Sequence, residues 1–128
     1  MPCSYIIDKE RRLVISTGWD HVTFADAKAH QDQLKNDPDF VTEYNQLLDA
    51  TAITVLEITI EQAKILASGS DFFSSTSRRA WVASKPVIFG LARLMEGYRK
   101  VLFARGEFCV FYERELALKW LGLDNSWP

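Results

Sequence analysis

Strand-type and helix-type segments alternate along almost the whole chain, and that alternation restricts the possible folds more than any other feature. Residues 3–8 (CSYIID) and 12–17 (RLVIST) are short runs rich in Ile, Val and Tyr, separated by the charged Lys9, Glu10 and Arg11. They predict an antiparallel hairpin. Thr23, followed three residues later by Asp26, marks a helix start; the helix spans about residues 23–36, carries Phe24, Ala27 and Leu34 inward and stops at Asp37-Pro38. Residues 44–49 (YNQLLD) predict a third strand. After a loop, Thr59 and Gln62 form the Thr-x-x-Gln capping box of a second helix that runs to about Ala67.

The second half repeats the pattern. Residues 68–77 (SGSDFFSSTS) form a Ser- and Gly-rich loop that contains Phe72 and Phe73. Residues 78–84 (RRAWVAS) predict a fourth strand, and a third helix follows with Ser84 as its cap and Pro86 in its first turn. Val87, Leu91, Leu94, Tyr98 and Leu102 fall at helical spacing as its inner stripe, opposite Arg93, Glu96 and Lys100. Gly106 precedes residues 107–112 (EFCVFY), an apolar run predicting a strand buried on both faces. Glu113 and Glu115 suit the positive end of a last helix with Leu116, Trp120 and Leu121 inward, which ends at Gly122 before a frayed tail over 123–128. The order ββαβαβαβα predicts an α/β domain over 1–128 with a five-stranded mixed sheet. Strands joined through helices pair in parallel by right-handed crossovers, and strand one lies antiparallel at the edge.

Composition bounds the function. At 128 residues, 48% hydrophobic and 25% charged, the chain can bury roughly two thirds of its unfolded surface without a metal or disulfide. Fifteen basic against seventeen acidic residues leave no basic face for a phosphate backbone, which argues against nucleic acid as a partner. The apolar runs are far shorter than the roughly 20 residues that span a bilayer. The first residues lack a basic-then-apolar leader, so the expected location is cytoplasmic. Cys3 and Cys109 read as reduced packing residues rather than a disulfide framework.

No catalytic, metal or cofactor set emerges from these residues. Asp26 and His30 lie one helical turn apart near Asp20 and His21, but the dedicated zinc spacings are missing. Neither cysteine neighbours a histidine in sequence, so core thiols and surface imidazoles are expected. No glycine-rich phosphate loop occurs. Ser84 and Lys85, at the start of the third helix, offer a possible anion site through free backbone N–H groups and an ammonium. Arg78 and Arg79 point to opposite faces of their strand, and both are expected to be solvated. Phe72 and Phe73 either plug the core or project as a docking or ligand-lining element, a role in which Arg93 can also serve.

The stretches "DKERRLVIS", "NQLLDA", "RRAWVAS", "FGLARLMEGY" and "FCVFYERELALKWLG" resemble the bacterial STAS/SEC14-like small proteins of the SpoIIAA-like fold. The resemblance implies the strand order 1-2-3-4-5, which has no reversal point to open a crevice at the strand ends. It also implies that Cys3 and Cys109 sit at opposite edges, roughly 19 Å apart. In the anti-sigma-factor antagonists of that fold a phosphorylatable Ser in an Asp-Ser-Ser-Gly motif opens the second helix. Here that stretch reads Leu56-Glu57-Ile58-Thr59, so Thr59 is the one possible regulatory hydroxyl. The expected function is a non-enzymatic domain that binds a protein partner, with a homodimer as one form. The alternative is a carrier of a small apolar or lipid-like ligand, lined by aromatics of helix three and of the 72–73 loop. A weaker alternative is a small hydrolase that uses His21 or His30.

Overall fold

The computed structural model describes residues 2–69, 72–102 and 106–123. The frayed tail expected over 123–128 therefore falls, from residue 124 on, outside the described residues. The elements are β1 (Cys3–Asp8), β2 (Leu13–Thr23), α1 (Phe24–Lys35), β3 (Asn45–Glu57), α2 (Ile60–Gly69), β4 (Arg78–Val82), α3 (Pro86–Val101), β5 (Glu107–Phe111) and α4 (Arg114–Trp120). They form one five-stranded sheet of order β1-β2-β3-β4-β5. β1 is antiparallel to β2 and every other pair is parallel.

Local chemistry explains each boundary. The hairpin closes with Arg12 in the left-handed region (φ 55°), while the Asp8 carboxylate accepts from Arg11 N at 3.1 Å. α1 opens on a full capping box, in which Thr23 Oγ1 accepts from Asp26 N at 3.2 Å and the Asp26 carboxylate accepts from Thr23 N at 3.0 Å. α2 opens the same way on Thr59 and Gln62. Right-handed crossovers put α1, α2 and α3 on one face of the sheet. α4 returns across the other, where Ala117 and Leu118 pack on Leu13, Leu47, Ala80 and Val82.

Five expectations are corrected. β3 does not end at Asp49 but continues to Glu57, because β2 and β3 extend together as a ribbon; Trp19 pairs with Ala52 and Thr23 with Glu57, past Asp49, where the pairing with β4 ends. The register of this ribbon shifts between Thr17 and Trp19 and again between Asp20 and His21, with Asp20 at φ 54°. The inner stripe of α3 is turned by one residue, so that Ile88, Ala92, Met95, Glu96 and Arg99 are buried while Val87, Leu94 and Leu102 are exposed. The pattern assigned charges to solvent, whereas Glu96 goes inward within reach of Arg93 (3.8 Å) and Lys100 (3.6 Å), and Arg99 donates to Ala67 O. Long stems let such residues cover apolar surface. The α3 cap is Lys85 rather than Ser84. β5 is an edge strand with only Val110 buried, not a strand covered on both faces. In α4, Leu116 is exposed, and Ala117 with Leu118 forms the buried stripe instead.

Candidate functional site

On the helix-covered face, alternate strand positions line up across the sheet: Val14, Ser16 and Gly18 on β2, Gln46, Leu48 and Ala50 on β3, Arg79 and Trp81 on β4. Between this face and α1, α2 and α3 lies a cavity of about 110 Å³. α1 contributes Ala27, His30, Gln31 and Leu34, α2 contributes Leu66, and α3 contributes Ile88, Leu91, Ala92 and Met95. Every lining residue is buried or half-buried. At Gly18 a Cβ would come within 2.9 Å of Ile53 Cδ1, so a larger residue there would make the Ile53 side chain shift.

A chain of polar groups crosses one wall. His30 Nε2 lies 3.0 Å from Ser16 Oγ, Gln46 Nε2 donates to the same oxygen at 3.1 Å, and Arg79 Nε donates to Gln46 Oε1 at 3.0 Å. Ser16, Gln46 and Arg79 are all buried. The Arg79 guanidinium stacks over the Phe73 ring, 4.4 Å from its centroid. Burial, aided by the positive Arg79, pushes the His30 imidazole down to about 4 from its ordinary 6.5, so it is neutral at pH 7. A Ser beside a His has the outline of a nucleophile and its base. A base held that far below neutrality, bonded to a hydroxyl already engaged by Gln46, is poorly matched to proton abstraction.

Two further polar atoms belong to residues of the same cavity. Gln31 Nε2 donates to Leu66 O at 3.0 Å, which ties α1 to α2 and fixes the orientation of the amide. Its Oε1 and the indole Nε1 of Trp81 are buried with no hydrogen-bond partner among the described residues. Gly69 makes room for this amide, since a Cβ there would sit 2.8 Å from Oε1.

No protein-family model matches the chain, and no curated protein does. Among solved structures, it is similar to an uncharacterized protein of the DUF3478 family with a SpoIIAA-like fold from Shewanella loihica PV-4. The two are 19% identical, 93% of each chain is covered, and the TM-score is 0.56. The fold is SpoIIAA-like. The sheet, without order reversal, carries consecutive crossover helices on one face, and the cavity described above occupies the seam between the SpoIIAA-like sheet and those helices.

Within this SpoIIAA-like frame the residues singled out from the sequence scatter. Thr59 caps α2, its Oγ1 accepting from Gln62 N at 3.1 Å, and it is exposed outside the cavity. Phe73 is buried among Val14, Leu34 and Tyr44, and Phe72 stacks on it at 5.1 Å, so the pair plugs the core; Phe72 also lines the cavity. Arg93 is exposed beside Glu96 and does not line it. Lys85, expected with Ser84 to offer an anion site, donates from its ammonium to Thr51 O at 2.9 Å, which ties α3 to β3. Asp26 and His30 do not converge, because Asp26 turns back into the α1 cap while His30 turns inward. His30 is not a surface imidazole; His21 is exposed and lies 3.2 Å from Glu57 Oε1. Arg79, expected in solvent, is 3% exposed, because strand parity points it under the helices. Cys3 and Cys109 are free thiols, half-buried on opposite edge strands, and burial pushes both upward in pKa.

Ser16, Gln31, Gln46 and Trp81 went unmarked in the sequence. A signal existed for one pair. Gln46 and Arg79 occupy the same parity as flanking apolar positions, and a polar pair in a strand segment under crossover helices is a buried network by that logic.

Proposed function

We propose that this protein is a non-enzymatic binding domain that holds a small, mostly apolar molecule between its sheet and α1–α3. The carrying observation is the cavity of about 110 Å³, with walls of Leu, Ile, Ala and Met interrupted by a few fixed polar groups. Ligand sites have this makeup, a largely apolar lining with a small number of placed hydrogen-bonding groups. The size is of the order of an apolar protein cavity of roughly 150 Å³ that takes up benzene. The test is a titration of the full chain with toluene, followed by methyl resonances of Leu66, Ile88 and Met95. Saturable shifts confined to these groups support the reading. Spectra that stay unchanged with toluene, phenol and benzoate alike overturn it.

A protein partner is the second reading, favoured by the outer face of α3. Val87 is 83% and Val101 72% exposed on the same side as the exposed Leu94. Gly90 and Gly97 lie between them, with nothing within 4 Å of where a Cβ would sit. Glycine inside a helix costs about 1 kcal/mol relative to Ala, and nothing in the chain's own packing accounts for it here. The stripe is symmetric about Leu94, which suits a second copy crossing antiparallel by a two-fold axis. Sedimentation should show a dimer that Val87→Glu with Val101→Glu dissociates; a monomer at high concentration removes this reading.

A further inference from the structure

Gln31 and Trp81 line the cavity from α1 and β4; the Gln31 amide bonds Leu66 O, and the Trp81 ring packs against the cluster of Ala63, Leu66, Ala67 and Met95. One offers a buried acceptor, Oε1, and the other a buried donor, Nε1–H, and neither has a partner among the described residues. Native structures rarely leave such groups unpaired, because each keeps its desolvation penalty. Resting on the reading of the cavity as a ligand site, we infer that its ligand is neutral and carries a hydroxyl, which accepts from Trp81 Nε1 and donates to Gln31 Oε1.

The two orphan atoms discriminate among head groups. A carboxylate satisfies the indole but sets a second acceptor against Gln31 Oε1. An ammonium satisfies Gln31 and leaves the indole N–H unpaired. A pure hydrocarbon satisfies neither. A hydroxyl both gives and accepts a hydrogen bond. The Leu, Ile and Met walls take the ring or chain of an alcohol or phenol of about seven heavy atoms, on the scale of benzene in a comparable cavity.

Phenol, toluene and benzoate separate these cases, since phenol and toluene differ only by a hydroxyl in place of a methyl. The full chain is titrated with each, reading methyl shifts for affinity and the indole N–H signals, with that of Trp81 assigned by its loss in Trp81→Phe. The expected result is phenol binding at least about tenfold more tightly than toluene or benzoate, as sites built to bond a hydroxyl discriminate. The Trp81 N–H proton should move downfield with phenol and not with toluene. Trp81→Phe and Gln31→Leu, each checked for an unchanged fold by its spectrum, should lose the preference for phenol over toluene. Toluene binding as tightly as phenol, or benzoate binding most tightly, overturns the hydroxyl inference while the cavity reading stands. A Trp81 N–H unmoved by bound phenol, or a preference that survives in both variants, overturns the assignment to this pair. Failure of all three probes to bind overturns the cavity reading itself.

Discussion

Acid should destabilise this fold through His30 well before its carboxylates protonate. Ser16 bonds the His30 ring from β2, the Tyr5 ring meets it edge-on at 5.6 Å from β1, and Arg79 bears on it from β4. Burial first, and Arg79 second, lower the folded-state pKa to about 4 from 6.5. The sign follows from linkage: above 6.5 both states are neutral and the fold keeps its full stability. As pH falls the unfolded chain takes up a proton that the folded one refuses, and stability drops until the folded pKa is passed. A shift of this size amounts to a loss of about 2 kcal/mol by about pH 5 and about 3 kcal/mol below pH 4. Asp8, Asp26 and Asp37 are held below the ordinary 3.8, chiefly by hydrogen bonds from Arg11, Thr23 and Tyr5 respectively, so their contributions fade only at lower pH. Urea titrations at about pH 7 and pH 5 on the wild type and on His30→Gln, which keeps an amide near Ser16, measure the effect. The wild type should lose about 2 kcal/mol between the two conditions and the variant less than about 0.5 kcal/mol. Equal losses in both proteins would refute the buried neutral imidazole.

The other predictions concern packing and hydrogen bonding. Phe73→Ala should cost about 3–5 kcal/mol in denaturant titration, because the ring fills the space among Val14, Leu34 and Tyr44; a loss near 1 kcal/mol would place it at the surface. Ser16→Ala removes the oxygen shared by His30 and Gln46 and should cost about 1–3 kcal/mol. Thr59→Ala should cost about 1 kcal/mol while Thr59→Asp stays close to wild type in thermal unfolding, as its bond to Gln62 N requires of a helix cap. Leu116→Ala should change stability by less than about 0.5 kcal/mol, whereas Leu118→Ala should cost about 2–5 kcal/mol; the reverse order would rotate α4 by about half a turn.

Local signals carried far in this chain because they are short-range physics. Caps at Thr23 and Thr59 work through backbone N–H groups three residues away, so their sequence signature and their structure coincide. Strand runs separated by helices admit few connections, and the order ββαβαβαβα with parallel pairing follows from handedness alone. The sequential order of the strands came from the resemblance, since no periodicity encodes which strands are neighbours.

What the sequence by itself determined, then, is the succession of elements, their caps and the α/β class. Only the tertiary structure decided which face of α3 is inner, that β5 is an edge, and that Ser16, Gln46, Arg79 and His30 meet. Those residues are separated in the chain by up to 63 positions, from Ser16 to Arg79. Each taken alone reads as an ordinary polar residue of a strand or helix surface. Their burial results from two long-range facts together, the sheet register that sets Gln46 beside Arg79 and the crossover helices that close over that face. A charge goes inward only where such neighbours hydrogen-bond it, and that compensation is a property of the assembled fold rather than of any local stretch of chain.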